Sequence, residues 1–185
     1  MTADTDRFFV LTGGPGSGKT TLIAALERLG YRRSEEAGRA IIQAQSAIGG
    51  SALPWADRGA FAELMLSWEL RSHAMAFGQD GPVFFDRGVP DVIGYLRLSG
   101  LAVAEHVRRA AALYRYNRRV FIAPPWEAIF AQDRERKQDF DEAVRTHEAM
   151  VEAYSTEGYE LVALPLASVE ERVRFVLGHV GATGG

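Results

Sequence analysis

Residues 8–22 read "FFVLTGGPGSGKTTL", a short apolar run that passes into a glycine-rich turn and then into a stretch of helical period. Gly13, Gly18, Lys19 and Thr20 match the spacing G-x-x-x-x-G-K-[ST], and each residue type has a physical reason to be there. Gly13, Gly14, Gly16 and Gly18 permit backbone conformations closed to other residues, so the turn through Pro15 and Ser17 to Thr21 can converge N–H groups on phosphate oxygens. The helix predicted from Lys19 to Leu29 adds the positive end of its dipole. Lys19 would neutralise the β and γ phosphates of a nucleotide, and the Thr20 hydroxyl would ligate Mg²⁺. "FFVLT" before the turn and "TTLIAALERLG" after it supply the strand and the helix that the motif requires.

Outward from that turn, short runs rich in Val, Ile and Phe alternate with longer stretches of helical period, the pattern of buried parallel strands between helices. Strands are expected at Phe8 to Thr12, Tyr31 to Ser34, Pro82 to Asp86, Arg119 to Ala123 and Glu160 to Leu164; "YRRSEE" is too polar for the second to be central. A helix carrying Phe61, Leu64, Met65 and Trp68 toward the core is expected after Asp57, which serves as its N-cap. Another carries Phe140, Val144, His147, Val151 and Tyr154, with Gly158 as its C-terminal cap. His147 on that stripe reads as a packed core histidine and not as a ligand. Ser168 and Glu171 have capping-box spacing and open the last helix.

The 185 residues are 47% hydrophobic, enough for one core and too few for two. One domain, 1–185, is expected, with no linker or repeat, and the glycine-rich end at about 181–185 reads as frayed. A net charge of −3 provides no global attraction to nucleic acid or to an anionic membrane, so neither is expected as a partner. Cysteine is absent, which excludes disulfides, Cys-ligated zinc and a thiol nucleophile, and fits a cytoplasmic location. No apolar run reaches the roughly 18 residues a membrane span needs, and the N-terminus lacks a signal-peptide pattern, so a soluble, unexported protein is expected.

The stretch "VFFDRG", Val83 to Gly88, places an acid beside a base at the end of a buried strand. In an open α/β sheet, ligands sit outside the carboxyl ends of the strands, which would bring Asp86 beside the phosphate loop. A carboxylate there can hold Mg²⁺ or accept the proton of an attacking hydroxyl. Motor-type ATPases carry a water-activating glutamate right after that aspartate; here the neighbour is Arg87. A guanine-reading Asn-Lys-x-Asp sequence is also missing. Arg87 either anchors an acceptor or forms an ion pair with Asp86 or Glu36.

Together "FVLTGGPGSGKTTL", "EEAGRAII", "FFDRGVPDVIGYL", "APPW", "DRERKQDF" and "ELVALP" resemble the kinase-like branch of P-loop NTPases. They look like a family of small predicted ATPases related to the nicotinamide riboside kinase domain of bifunctional NAD-synthesis proteins. The resemblance implies a three-layer α/β fold with a five-stranded parallel sheet in the order 2-3-1-4-5 and helices on both faces. It implies an ATP- and Mg²⁺-dependent transfer of the γ-phosphoryl to a hydroxyl of a nucleoside-like metabolite, with Lys19, Asp86, Arg87 and Arg134 as the catalytic set.

On the same resemblance, Glu36, Arg39, Arg87 and Asp91 lie on the acceptor side. Arg134, Arg136 and Lys137 belong to a lid spanning about 126–145 that stabilises charge on the γ-phosphoryl, the competing account being a solvated helix face. Leu166 and Ser168 lie where relatives hold adenine. Trp55 and Trp126, in Pro-bounded loops, either stack on a ring or staple the start of a helix. Two other functions stay open: a nucleotide-dependent switch with a protein partner, motivated by the apolar segment from Trp55 to Phe77, and slow hydrolysis as an end in itself.

Overall fold

A computed structural model describes residues 5–130 and 139–181. Five strands, β1 (Phe8–Gly13), β2 (Arg32–Arg33), β3 (Val83–Asp86), β4 (Arg119–Ala123) and β5 (Glu160–Ala163), form one parallel sheet in the order β2-β3-β1-β4-β5. Among the described residues seven helices cover it: α1 (Lys19–Arg28), α2 (Ala37–Ile48), α3 (Arg58–Ala76), α4 (Val89–Leu98), α5 (Glu105–Leu113), α6 (Phe140–Thr156) and α7 (Val169–Gly181). The sheet, its strand order and its two helical layers agree with the sequence expectation.

Hydrophobicity decides which strands are central. All residues of β1 and β3 are buried, as is β4 beyond its first residue, whereas β2 is exposed and β5 only partly covered. Strands buried on both faces lose polar neighbours on either side, which is why β1, β3 and β4 read as continuous apolar runs. Side chains alternate between the faces. Phe8, Val10, Phe85 and Val120 pack under α3 to α6, while Phe9, Leu11, Phe84 and Phe121 pack under α1 and α7. Each such phenylalanine contributes about 1.5–3 kcal/mol by leaving water.

Register then sets the site. Leu11 pairs with Asp86 on one side and with Phe121 on the other, so β3 ends level with the last residues of β1, where the chain turns into the glycine loop.

Three local expectations change. The second strand contracts to Arg32–Arg33, because an edge strand of charged residues has only one neighbour, β3, to pair with. In α3 the core-facing residues are Ala62, Leu66, Glu69, His73 and Ala76 beside Phe61; Leu64 is exposed, and Met65 and Trp68 are only partly buried. The helix has apolar residues nearly all round, so periodicity alone could not orient it. In α6 the buried stripe is Ala143, Thr146, Met150, Ala153 and Tyr154, rotated by about one residue from the expected one, and His147 is half-buried. The expected caps form. Asp57 accepts from the Ala60 N–H at 2.9 Å, Gly158 takes a φ of 80°, and Ser168 and Glu171 bond reciprocally. The lid residues Arg134, Arg136 and Lys137, and the tail beyond Gly181, lie outside the described residues.

One buried carboxylate ties the layers together. Asp91, in the first turn of α4, accepts from Thr12 Oγ1 at 2.6 Å, Arg87 Nη1 at 3.1 Å, the Gly88 N–H at 2.9 Å and Tyr154 Oη at 2.6 Å. These donors come from β1, from the turn after β3 and from α6. Tyr154→Phe deletes one charge-assisted bond inside the core and is expected to lower stability by about 1.5–3 kcal/mol, measured by urea denaturation.

Candidate functional site

The loop from Gly13 to Gly18 closes over its own lysine. Lys19 Nζ donates to the Gly14 carbonyl at 2.6 Å, the Gly13 carbonyl at 3.3 Å and Ser17 Oγ at 3.2 Å, and Ser17 Oγ donates to the Gly14 carbonyl at 2.8 Å. Gly18, the N-cap of α1, stands at φ 81°, where a side chain would be strained and its Cβ would meet the Arg172 guanidinium at 2.7 Å. Gly14 has no room either: a Cβ there would run into the Ala143 carbonyl of α6. With glycine as N-cap, no side chain caps α1 and no acid sits in its first turn, so its leading N–H groups are left for a ligand.

A cavity of about 660 Å³ opens over this loop. Its size falls within the usual range for small-molecule sites. Residues Pro15 to Thr21 line it together with Glu36, Arg39, Asp86, Arg87, Trp126, Ser168 and Arg172. Leu166 does not line it and is exposed. A second cavity of about 390 Å³ lies beside the first, walled largely by Trp55, Phe61, Met65, Tyr95 and Met150, with Glu69 and Asp91 among its polar residues. Pro15, Glu36 and Arg87 line both. Nearly all the sequence-predicted residues that are described thus gather around two adjoining spaces, with Trp55 on the second only and Trp126 on the first only.

Arg87 is held rigidly at the junction. Its φ of 73° is the only positive value outside glycine among the described residues, a conformation that costs an arginine about 1–2 kcal/mol. Its guanidinium donates to the Gly13 carbonyl at 3.0 Å and to Asp91. The ion pair expected with Asp86 or Glu36 is therefore made with Asp91. Burial disfavours the charge of Arg87, yet Asp91, Glu36 and Asp86 outweigh it and hold the group protonated.

Burial also raises the pKa of Asp86, against the opposing pull of Lys19 and Arg87, and lowers that of Lys19 to about 7, helped by Arg87. Asp86 Oδ1 is buried with no hydrogen-bond partner. Such an orphan in a nucleotide cavity fits a cation that arrives with the phosphates. Mg²⁺ is an ion commonly bound by one or two carboxylates plus substrate phosphates. Asp86 and Thr20, both on the cavity wall, are the residues that would hold it.

Arg172 was invisible as a site residue in the sequence, where it falls in the charged run "VEERVRF". Its side chain is fully buried, donates to the Ser17 carbonyl at 3.0 Å, lies 5.7 Å from the Trp126 ring, and leaves Nε and Nη2 without partners. Glu69 was missed for a different reason, as one acid in a helix apolar nearly all round; its spacing with Ala62, Leu66 and His73 was the available signal.

A family model described as an AAA domain matches residues 8–172. The chain belongs to that AAA domain family. Its fold is shared by solved nucleoside and nucleotide kinases. The structure is similar to that of NadR in complex with NR, at a TM-score of 0.72 and 17% identity, covering 96% of this chain and 51% of that one, so this AAA domain protein spans about half of NadR. It is also similar to deoxyadenosine kinase from M. mycoides with bound dATP (TM-score 0.62, 11% identity, 94% of this chain and 99% of that one). A third likeness is to thymidylate kinase from Ehrlichia chaffeensis (0.61, 14%, 95% and 98%). No curated protein matches the sequence. No helix among the described residues is long and apolar enough to cross a membrane.

The lowered pKa of Lys19 gives nucleotide binding a pH dependence. A phosphate beside Lys19 favours its cation, so above pH 7 binding must take up a proton. Affinity for ADP should weaken by up to about tenfold per unit as pH rises from 7.5 to 9.5, and calorimetry in buffers of different ionisation enthalpy should register the uptake. Lys19→Arg, which stays protonated, should flatten the profile; an unchanged slope would assign the proton to another group.

Proposed function

We propose that this protein is a Mg²⁺-dependent kinase that moves the γ-phosphoryl of ATP to a hydroxyl of a small, nucleoside-like acceptor. The observation that carries this is the pair of cavities joined at Pro15, Glu36 and Arg87, one over the phosphate loop and one walled by aromatic and apolar residues. Hydrolysis needs only the first. A space for a second substrate, opening beside the phosphate loop, is what a transferase requires, since holding both reactants together supplies much of the rate. The similar structures with NR and dATP bound support an acceptor of this class.

Roles follow from which cavity each residue touches. Lys19, with the amides of Gly13 to Thr21, would hold the phosphates, and Arg172 with Trp126 and Ser168 would close the far side of the nucleotide. The metal, held by Asp86 and Thr20, would neutralise charge between the β and γ phosphates. Glu36 lines both spaces whereas Asp86 lines only the nucleotide cavity, which favours Glu36 over Asp86 as the group that would accept the proton of the hydroxyl. Arg87 would orient the incoming hydroxyl, with Asp91 positioning Arg87 and not itself touching the acceptor. Arg39 and Trp55 line the rims, and Arg134, Arg136 and Lys137 remain proposed for the lid.

Of the apolar residues in 55–77, Phe61, Ala62, Leu66 and Ala76 are buried and Trp55, Phe61 and Met65 wall the second cavity, while Leu64, Met75 and Phe77 are exposed. A cytoplasmic location remains part of the proposal. Incubation of a metabolite library with ATP and Mg²⁺ should yield a phosphorylated product by mass spectrometry; nucleotide binding with no product would overturn the proposal. Glu36→Gln should lower kcat for transfer by about 10²–10⁴-fold. Arg87→Ala should collapse transfer while slow ATP hydrolysis persists, and equal loss of both activities would contradict its role as an acceptor anchor.

A further inference from the structure

Glu69 lies on the inner wall of the second cavity, on the core-facing side of α3, and is only 2% exposed. Its Oε2 has no hydrogen-bond partner among the described residues. Among the described residues no cation is paired with it: the charged groups that act on it are Asp91, Asp86 and Glu36, which repel its negative charge, and Arg87, which favours it but is already bonded to Asp91 and Gly13. Around it stand Phe61, Met65, Tyr95 and Met150. An unpartnered carboxyl in such a place destabilises the fold, and a residue retained at that cost points to a ligand.

Burial, reinforced by Asp91 and Asp86, raises the pKa of Glu69 well above its ordinary value, which favours the neutral carboxylic acid over the carboxylate. A neutral acid offers one O–H donor and one carbonyl acceptor side by side. The complementary partner is a planar edge with an N–H donor next to an oxygen or nitrogen acceptor, such as a carboxamide, an imide or an amino group beside a ring nitrogen. The aromatic and apolar walls suit a flat ring bearing that edge.

We infer that Glu69 selects the acceptor by hydrogen-bonding an amide-type donor and acceptor edge on its ring. The inference rests on the kinase reading and narrows its substrate class. The probes are deoxyadenosine, thymidine and nicotinamide riboside, which carry such an edge, and purine 2′-deoxyriboside, which lacks the amino donor. Each is assayed for transfer from ATP with the wild type, Glu69→Gln and Glu69→Leu, alongside thermal unfolding.

The wild type should phosphorylate at least one edge-bearing probe and disfavour purine 2′-deoxyriboside. Glu69→Gln, which keeps a donor and an acceptor, should hold KM for that probe within about threefold. Glu69→Leu should raise KM by about 10–100-fold with kcat changed far less, and should raise Tm by about 2–4 °C because the unpartnered carboxyl is gone. A merely structural glutamate would give the reverse, a lower Tm with KM unchanged, and that result overturns the inference. A Glu69→Gln variant as impaired as Glu69→Leu also overturns it, since charge and not the edge would then be read. Hydrolysis of ATP with no transfer to any probe overturns this inference, while the metabolite library decides the kinase reading separately; transfer with a KM insensitive to Glu69 also removes the inference alone.

Discussion

The carboxylate of Asp91 is the constraint on which the geometry of the site depends. A charge 6% exposed must be compensated, and four donors from three parts of the chain do so. Thr12 fixes the end of β1, Arg87 and the Gly88 N–H fix the turn after β3, and Tyr154 fixes α6 against α4. Moving any one of these elements would leave a buried charge short of a partner. The phosphate loop, the strand end that carries Asp86 and α6 are therefore held in one arrangement by a single side chain.

That arrangement stores charge in a small volume. Lys19 and Arg87 stand among Asp86, Glu36 and Asp91, and burial works against the charges of Lys19, Arg87 and Asp86. The lysine responds with a pKa near 7, while Arg87, whose guanidinium can bond Asp91 and the Gly13 carbonyl at once, stays charged. The difference is chemical: a guanidinium spreads its charge over a fork of donors, whereas an ammonium is a compact, strongly hydrated charge that gives up its proton readily when buried. The backbone strain at Arg87 belongs to the same account. A left-handed residue at the strand end turns the side chain back across Gly13 instead of into solvent, and the bonds it makes there offset the strain.

The catalytic end of the sheet was legible in the sequence because its signals are local. A glycine pattern between "FFVLT" and "TTLIAALERLG" constrains the backbone over eight residues and needs no distant partner to be recognised. Asp86 at the end of an apolar run was placed correctly for a similar reason, since parallel strands put their carboxyl ends on one edge. Orientation of α3 was not legible. Its apolar residues surround the helix, and only packing against α4 and the sheet decides that Glu69 and His73 turn inward while Leu64 turns out. Arg172 was hidden in another way, because the run "VEERVRF" looks solvated until α7 is laid beside the phosphate loop.

The sequence by itself determined the class of the fold, the strand that carries the phosphate loop and the sidedness of the site, since hydrophobic period and glycine spacing act over a few residues. Only the tertiary structure decided who meets whom. Arg87 pairs with Asp91 and not with Asp86 or Glu36, two cavities share Glu36 and Arg87, and a lone acid on α3 ends inside one of them. Such pairings depend on burial, which sets the cost of an uncompensated charge, and burial is a property of residues brought together from distant parts of the chain.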